Sequence, residues 1–567
     1  MASPHHMSIV RGNDVNLSIS ISNSRVVDVD EKAGNIHEII SSGSGSDLEY
    51  QEKTLERGLK SRHVQLIAIG GAIGTGLFVG SSVVLTSCGP ASLFLAYCIM
   101  STVIYFVMQM LAEMTTFLPL PGNGPQAFVN DYLSHSFGFA IGYNYWYAFS
   151  ILVAAEITAA ALVIQYWTTK VNIAVWITIL LALMISLNLI SVKFFGESEF
   201  WFASIKLFAL MGLIILGVVL FFGGGPNHDR LGFRYWKHDA FKEHLVKGST
   251  GRFLGFWTAL IKSGFAFICS PELVSTAGGE CYKPRRNLPK AARRFIYRLA
   301  FFYVLGTLII GVIVSSNDKK LINAGTNDAS GSPFVIGIQN AGIPVLNHII
   351  NAVILTSATS AGNSFLYSSS RALFSIAQRG SAPRIFTTVN RFGVPYYAVA
   401  ASSSFGFLSY LNCSSAAATV FTWFSNISTM SGFISWLTVT WAYLRWRKAI
   451  DHHNLHDRVT FRTPLQPYGA YYVLFVISLI TITNGYAVFL DFNIGDFLAA
   501  YITFPIILVL YFGHRIYEYK VHNIKNWFIP IEKIDLVTGL DLVEEEDATS
   551  PEPIPRNFIE KIWYWIA

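Results

Sequence analysis

Ile69-Gly70-Gly71-Ala72-Ile73-Gly74-Thr75-Gly76-Leu77-Phe78-Val79-Gly80 is the stretch that decides how this chain folds. It lies in the middle of an apolar run and carries five glycines, each costing a helix up to ~1 kcal/mol relative to alanine. Two readings are open. Small residues let helices pack closely, and they also let a helix come apart. In lipid, freed backbone groups are tolerated only beside a cavity or against other protein. Gly74-Thr75-Gly76 sets two flexible positions around a hydroxyl, which favours a real interruption.

That the run sits in lipid follows from the composition. The chain has 567 residues, is 52% hydrophobic and only 13% charged, against about a quarter charged in an average soluble protein. So little charge cannot cover the polar surfaces of several soluble domains. The hydrophobic content excludes disorder of the whole chain. The net charge of +6 does not form a solvated basic face, so nucleic acid is not an expected partner. The five cysteines show no disulfide framework. No metal cluster, phosphate-binding loop or nucleophile constellation stands out, so neither an enzyme nor a cofactor is expected.

A membrane helix needs roughly 20 apolar residues. About twelve such segments follow, centred near Ile73, Ile104, Leu152, Leu183, Met211, Phe265, Leu305, Ile354, Phe405, Ser431, Ile477 and Phe504. The expected fold is therefore an all-α polytopic membrane protein. Its expected parts are a disordered cytosolic tail over 1–57, a twelve-helix membrane domain over 58–515 and a cytosolic tail over 516–567. Within the domain, helices one to ten fall at about 62–446 and helices eleven and twelve at about 470–514. Basic residues follow the sixth span (Lys283, Arg285, Arg286, Lys290), the eighth (Arg371, Arg379) and the tenth (Arg445, Arg447, Arg458). With an even number of spans these loops share a side with both termini, which the positive-inside rule makes cytoplasmic. The fifth-to-sixth loop, with Arg230, Arg234 and Lys237, disagrees. The acidic run Glu544-Glu545-Glu546-Asp547 reads as flexible surface, and of three N-x-S/T sequons only Asn412 is placed to face outward.

Five spans after the first interruption comes a second, Phe265-Ala266-Phe267-Ile268-Cys269-Ser270-Pro271-Glu272. Pro271 removes a backbone donor, and Glu272 puts a carboxylate deep in an apolar run. Interrupted spans at matching places in two halves point to a transporter built from inverted repeats. Opened helices offer N–H groups that suit a carboxylate and C=O groups that suit an ammonium, so a zwitterionic amino acid matches both ends. Other ionisable residues at membrane depth are Glu113, Glu156, Lys206 and Lys262. Mid-span depth gives Glu156 a proton or substrate role. Snorkelling is the alternative for both lysines, and structural anchoring is the alternative for Glu113. The hydroxyl-rich Thr356–Ser364 stretch of the eighth span reads as helix packing.

On these residues the chain closely resembles the fungal amino acid permeases, the yeast amino acid transporter family of the amino acid–polyamine–organocation superfamily. The motifs are Ser61-Arg62-His63-Val64-Gln65-Leu66-Ile67-Ala68, Gly196-Glu197-Ser198-Glu199-Phe200-Trp201-Phe202-Ala203-Ser204-Ile205-Lys206, Gly225-Pro226-Asn227-His228-Asp229-Arg230-Leu231-Gly232-Phe233 and Trp423-Phe424-Ser425-Asn426-Ile427-Ser428. Through Pro271-Glu272-Leu273-Val274 and Phe334-Val335-Ile336-Gly337-Ile338-Gln339-Asn340 it looks most like the proline permeases. The resemblance implies a leucine-transporter-type 5+5 inverted repeat with helices one and six broken, two peripheral helices, a plasma-membrane location and uptake driven by the proton gradient.

By the same resemblance, the backbone at Ile73, Gly74, Thr75 and Gly76 would hold the substrate carboxylate, and Phe267 and Ser270 the amino group. Glu156, Lys262 and Phe265 match positions tied to binding or translocation, and Phe424, beside Trp423, would lie near the outer gate. Lys206 matches a lysine that stands in for a sodium ion, so Lys206, Glu156 and Glu272 are the proton-coupling candidates. Thr359 and Cys269 depart from the proline-permease pattern, where bulkier side chains stand, and a larger or more polar pocket would follow. Proline leads as substrate. Alanine, glycine, serine or γ-aminobutyrate are companions or replacements, and a non-transporting sensor with this fold is the rival. Lys32 and Lys53 in the N-terminal tail are candidates for regulatory modification, as any exposed lysine is, and the cytosolic tails are where ubiquitin and trafficking machinery would act.

Overall fold

In the computed structural model the described residues are short strands at 9–10, 17–21 and 25–29, then 74–119, 124–190, 192–268, 270–272, 275, 283–322, 331–413, 417–549 and 557. Ile73, Cys269, Lys32 and Lys53 lie outside them. The chain divides into two units, Met1–Glu52 and Lys53–Ala567. In the first, strands β1 (Ile9–Val10), β2 (Leu17–Ile21) and β3 (Arg25–Val29) pair antiparallel in the order β1-β2-β3, with Ile19 opposite Val27. They follow the apolar–polar alternation Leu17-Ser18-Ile19-Ser20-Ile21, a local signal that the tail's average composition does not register.

The second unit is helical. Eight described helices are long and apolar enough to cross a membrane: Pro90–Phe117, His135–Gln165, Ile173–Ile190, Phe194–Phe221, Gly248–Glu272, Pro284–Ile313, Leu346–Gln378 and Tyr468–Phe489. Ile494–Tyr501 and Thr503–Val521, bent by 42° at Ile502, make a ninth if taken as one span. These correspond to spans two to eight, eleven and twelve of the expected series. The other three fall short for visible reasons. Span one is described only from Gly74, and its helix there is Gly76–Cys88. Span nine is an α-helix, Tyr396–Ser403, running into a 3-10 segment, Ser404–Cys413. Span ten, Ala417–His453, is long but mixes Thr, Ser and Asn with an Arg/Lys-rich end.

Span three is the axis of the bundle and packs along spans eight and ten. Its run Val153-Ala154-Ala155-Glu156-Ile157-Thr158-Ala159-Ala160-Ala161 is buried throughout, and the small side chains let three helices approach closely. Spans four and five instead turn Ile179, Trp201, Phe208 and Ile215 outward, as lipid-facing helices do.

The acidic run is not flexible surface. Residues Leu540–Ala548 form a helix held by charge: Arg458 binds Glu544 at 2.7 Å and also Asp541, and Arg286 Nε donates to Asp547 Oδ1 at 3.1 Å. The Arg458 hydrogen bond lowers the Glu544 carboxyl below its usual range. Arg286 follows span six and Arg458 follows span ten, so these loops and the C-terminal helix share one side of the bundle, as an even number of intervening spans requires. Asn412 is also corrected. Its amide is buried and donates to Thr158 Oγ1 at 2.8 Å, which leaves no access for a glycan.

Candidate functional site

Within the described residues both stretches depart from regular α-helix, and they touch. After Gly74 and Thr75, span one runs as a π turn over Gly76–Gly80 before the α-helix Ser81–Cys88. Span six is α-helical over Gly248–Ser263, tightens to a 3-10 turn over Gly264–Phe267, and leaves the helical region at Ile268 (φ −54°, ψ 137°). A Cβ placed on Gly76 would lie 2.6 Å from Ala266 Cα, so the two broken backbones meet where a side chain would not fit. Close packing holds for the glycine run, and its described part departs from α geometry as a π turn.

Span three brings Glu156 to the first break. Thr75 Oγ1 donates to Glu156 Oε1 at 3.0 Å, and a Cβ on Gly74 would stand 3.0 Å from the same oxygen. Glu156 is 2% exposed, and its Oε2 has no hydrogen-bond partner among the described residues. A half-satisfied buried carboxylate costs free energy unless a ligand or proton completes it.

Lys206 from span five is fully buried, so it does not snorkel, and it interacts electrostatically with both Glu156 and Glu199. Glu199 is the residue that sequence reasoning misses. In the sequence it stands only as part of a motif, yet it is buried, and both its carboxylate oxygens accept from Ser360 Oγ at 2.8 Å. Its placement two helical turns before Lys206 puts both on one face, and that spacing is the available signal. Ser360 shows that the hydroxyl-rich stretch of span eight does more than pack. The polar series thus runs Thr75, Glu156, Lys206, Glu199, Ser360, across spans one, three, five and eight.

At the second break Ser270 is buried, with Oγ unpartnered among the described residues. Glu272 is buried too. Trp436 Nε1 donates to its Oε1 at 2.6 Å, while Oε2 has no partner among the described residues. Phe265 meets Phe421 edge-on, with centroids 5.6 Å apart, and both join Phe424, Tyr147 and Phe405 in an apolar cluster on Ala154 and Ala155. The structure therefore gathers Phe265 and Phe424 on the face of span three formed by Ala154 and Ala155, while Glu156 points to the Thr75 side. Trp423 turns away, its Nε1 donating to Asp496 Oδ1 at 3.1 Å.

Phe267 is buried between Tyr97 and Tyr303. Thr359 is buried and donates to its own helix at Leu355 O, 2.9 Å. Lys262 is half-buried and has Cys88 and His244 as electrostatic neighbours, placing it near the fifth-to-sixth loop. There burial, with Lys262 adding to it, lowers the His244 imidazole below its usual range. Glu113 is an anchor: Tyr443 OH and Thr463 Oγ1 donate to Oε2 at 2.8 and 2.6 Å, and Arg447 lies 3.5 Å from Oε1.

Two broken helices packed break against break, with unsatisfied carboxylates beside them, define a membrane transporter of the leucine-transporter-type fold. Solved structures of a manganese transporter from Eremococcus coleocola match it with TM-scores of 0.52 and 0.53 at 14% identity, covering 83% of this chain and 98% and 96% of theirs. That likeness concerns the fold alone.

The particular family follows from sequence. The chain belongs to the amino acid permeases, whose family model matches residues 63–525. It is 54% identical over 525 residues to the proline-specific permease of Emericella nidulans, covering 91% of this chain and 94% of the relative. To the proline-specific permease of Saccharomyces cerevisiae it is 56% identical over 502 residues, covering 87% and 80%. The lysine-specific permease of that yeast stands at 38% over 535 residues, covering 94% and 86%.

Proposed function

We propose that this protein is a plasma-membrane symporter that imports L-proline together with protons by alternating access, with both termini in the cytoplasm. The observation that carries the substrate is the gap in similarity: 54% and 56% identity to permeases named for proline against 38% to one named for lysine. Site chemistry supports it. Proline's secondary ammonium has two N–H donors, one for the open Glu156 Oε2 and one for a carbonyl freed at the span-six break. Its carboxylate suits N–H groups freed around Gly74–Gly76. The pyrrolidine ring suits the apolar cluster of Phe265 and Phe424.

Glu156, Lys206 and Glu272 are the groups through which a proton would act, because a buried charge is costly unless neutralised or paired. A proton or an ammonium at Glu156 Oε2 would each complete that carboxylate, which ties substrate to proton. Thr359 bears on the broader-specificity reading. Its hydroxyl is spent on Leu355 O, so the position offers extra space more than extra polarity. The N-terminal tail, with Lys32 and Lys53, is proposed as the attachment site for ubiquitin and trafficking machinery.

The test is radiolabelled proline uptake in permease-deficient cells over a range of external pH, with unlabelled alanine, glycine, serine and γ-aminobutyrate as competitors. Saturable uptake that rises as pH falls, collapses with a protonophore and resists the competitors supports the proposal. Equal competition by alanine or γ-aminobutyrate replaces proline with a broader substrate range. Signalling without accumulation makes the protein a sensor.

A further inference from the structure

Against the two interrupted segments stand three buried rings: Tyr97 from span two, Phe267 from span six and Tyr303 from span seven. Phe267 lies against Tyr303 with centroids 4.4 Å apart at 29°, and against Tyr97 at 5.6 Å and 51°. The tyrosines are near parallel at 6.3 Å. Apolar rings would fill this space equally well, so the two hydroxyls need a reason, since an unpaired phenol in a dry core costs free energy. They find partners on the two interrupted segments. Tyr303 OH donates to Ala266 O at 3.1 Å, and Tyr97 OH donates to Gly76 O at 3.4 Å. Ala266 and Gly76 are also the two residues whose backbones meet at 2.6 Å from a Cβ on the glycine.

Tyr303 is brought there by an irregularity of its own. Span seven passes from α-helix, Pro284–Arg298, through a π turn, Leu299–Val304, and back to α-helix at Leu305–Ile313. A π turn holds one residue more than an α turn, re-aims the side chains that follow it, and recurs at functional sites. Thr307 Oγ1 covers the carbonyl of Tyr303 at 2.8 Å, so the turn's own backbone is supported.

We propose that Tyr97 and Tyr303 are positioning residues that clamp the carbonyls of Gly76 and Ala266 and so fix the two broken helices in the geometry that receives substrate. This rests on the reading that the breaks carry the amino acid. Ala266 stands near the end of the 3-10 turn, where a carbonyl has lost its in-helix donor. A phenol that holds it sets where its remaining lone pair points, which is where a substrate ammonium would bind. Loosening the clamp leaves the fold and rings in place and makes the site less preorganised, so the loss falls on affinity.

The experiment is proline uptake by full-length wild type, Tyr303→Phe, Tyr97→Phe and the double variant, with surface amount measured in the same cells. Tyr303→Phe is expected to raise KM roughly 3- to 10-fold and Tyr97→Phe, with the longer contact, about 2- to 4-fold, the range one lost hydrogen bond gives. Maximal uptake per surface molecule should stay within about twofold of wild type, and the double variant should raise KM further than either single variant. Unchanged KM in both single variants at normal surface amount overturns the clamp. So does a loss confined to surface amount, because that is the signature of a folding role. Should Tyr303→Phe fail to reach the surface, the KM of Tyr97→Phe decides by itself. If wild type shows no saturable proline uptake, the substrate reading fails, and that result is separate from any difference among the variants.

Discussion

Glu113 and Glu156 are both carboxylates buried in membrane-spanning helices, and the structure treats them in opposite ways. Around Glu113 a phenol, a hydroxyl and a guanidinium leave neither oxygen idle. Around Glu156 one oxygen takes the Thr75 hydroxyl and the other takes nothing among the described residues. A satisfied buried charge joins elements, here span two, span ten and the stretch after span ten. One left half-satisfied is held ready for something that comes and goes. Depth in the membrane does not separate these roles, and partner count does.

The largest expected effect breaks the comparison at its functional end. Glu156→Gln keeps the shape and can still accept from Thr75, but it cannot carry a charge or bind an ammonium as an ion pair. Proline uptake should fall at least ~50-fold at unchanged surface amount, more than one ordinary hydrogen bond supplies and in line with a charge-assisted contact. Unchanged kinetics would move Glu156 into the same class as Glu113.

Next is the backbone contact. Gly76→Ala places a methyl group 2.6 Å from Ala266 Cα, and the atom it meets is main chain, with no side chain to swing aside. Uptake should drop at least ~10-fold. Gly212→Ala is the control, because a Cβ there meets nothing within 4 Å, and its uptake should match wild type.

At the structural end, Glu113→Ala leaves Arg447 and two hydroxyls without their acceptor. Loss of one partner from a buried ion pair costs about 3–5 kcal/mol, so surface amount and thermal stability in detergent should fall. KM for proline, measured on the molecules that remain, should stay at the wild-type value. A raised KM would show that the two carboxylates are not separable.

The smallest effect lies at the C-terminal helix. Glu544 has its carboxyl lowered mainly by Arg458, so the stability it adds is present above the unfolded value of 4.5 and is lost as pH falls through the lower folded value. The pair is partly exposed and solvent screens it, which limits its contribution to roughly 0.2–1 kcal/mol. Arg458→Ala should shift the melting temperature slightly at pH 7. That difference should vanish in acid below the carboxylate range.

Much of this is legible in the chain. Gly74-Thr75-Gly76 and Pro271-Glu272 mark the breaks, because glycine and proline act on the backbone and need no partner to reveal themselves. Glu156 stands out because a carboxylate among alanines at mid-span depth is costly unless it serves a ligand or a proton. The chain does not show which groups face one another across spans that are distant in sequence. Glu199 stands inside a motif, and its acceptor role depends on Ser360, far along the chain. Tyr97 and Tyr303 read as ordinary aromatics because a phenol's purpose lies in what its hydroxyl reaches. Glu113 stays between two readings without Tyr443 and Thr463, which only the fold brings beside it. The acidic run Glu544–Asp547 reads as loose surface for the same reason, since its arginines come from the loops after spans six and ten.

The central claim is that an amino acid binds where the two broken helices meet, with Glu156 as its charged partner. Equilibrium binding of tritiated proline to purified full-length protein, wild type against Glu156→Gln, tests it most directly, because binding is read apart from proton drive and surface delivery. Saturable binding by wild type, competed by unlabelled proline and weakened at least ~10-fold in a Glu156→Gln protein of normal thermal stability, is the predicted result. Equal affinity in the two proteins would contradict the claim and place the substrate elsewhere in the bundle.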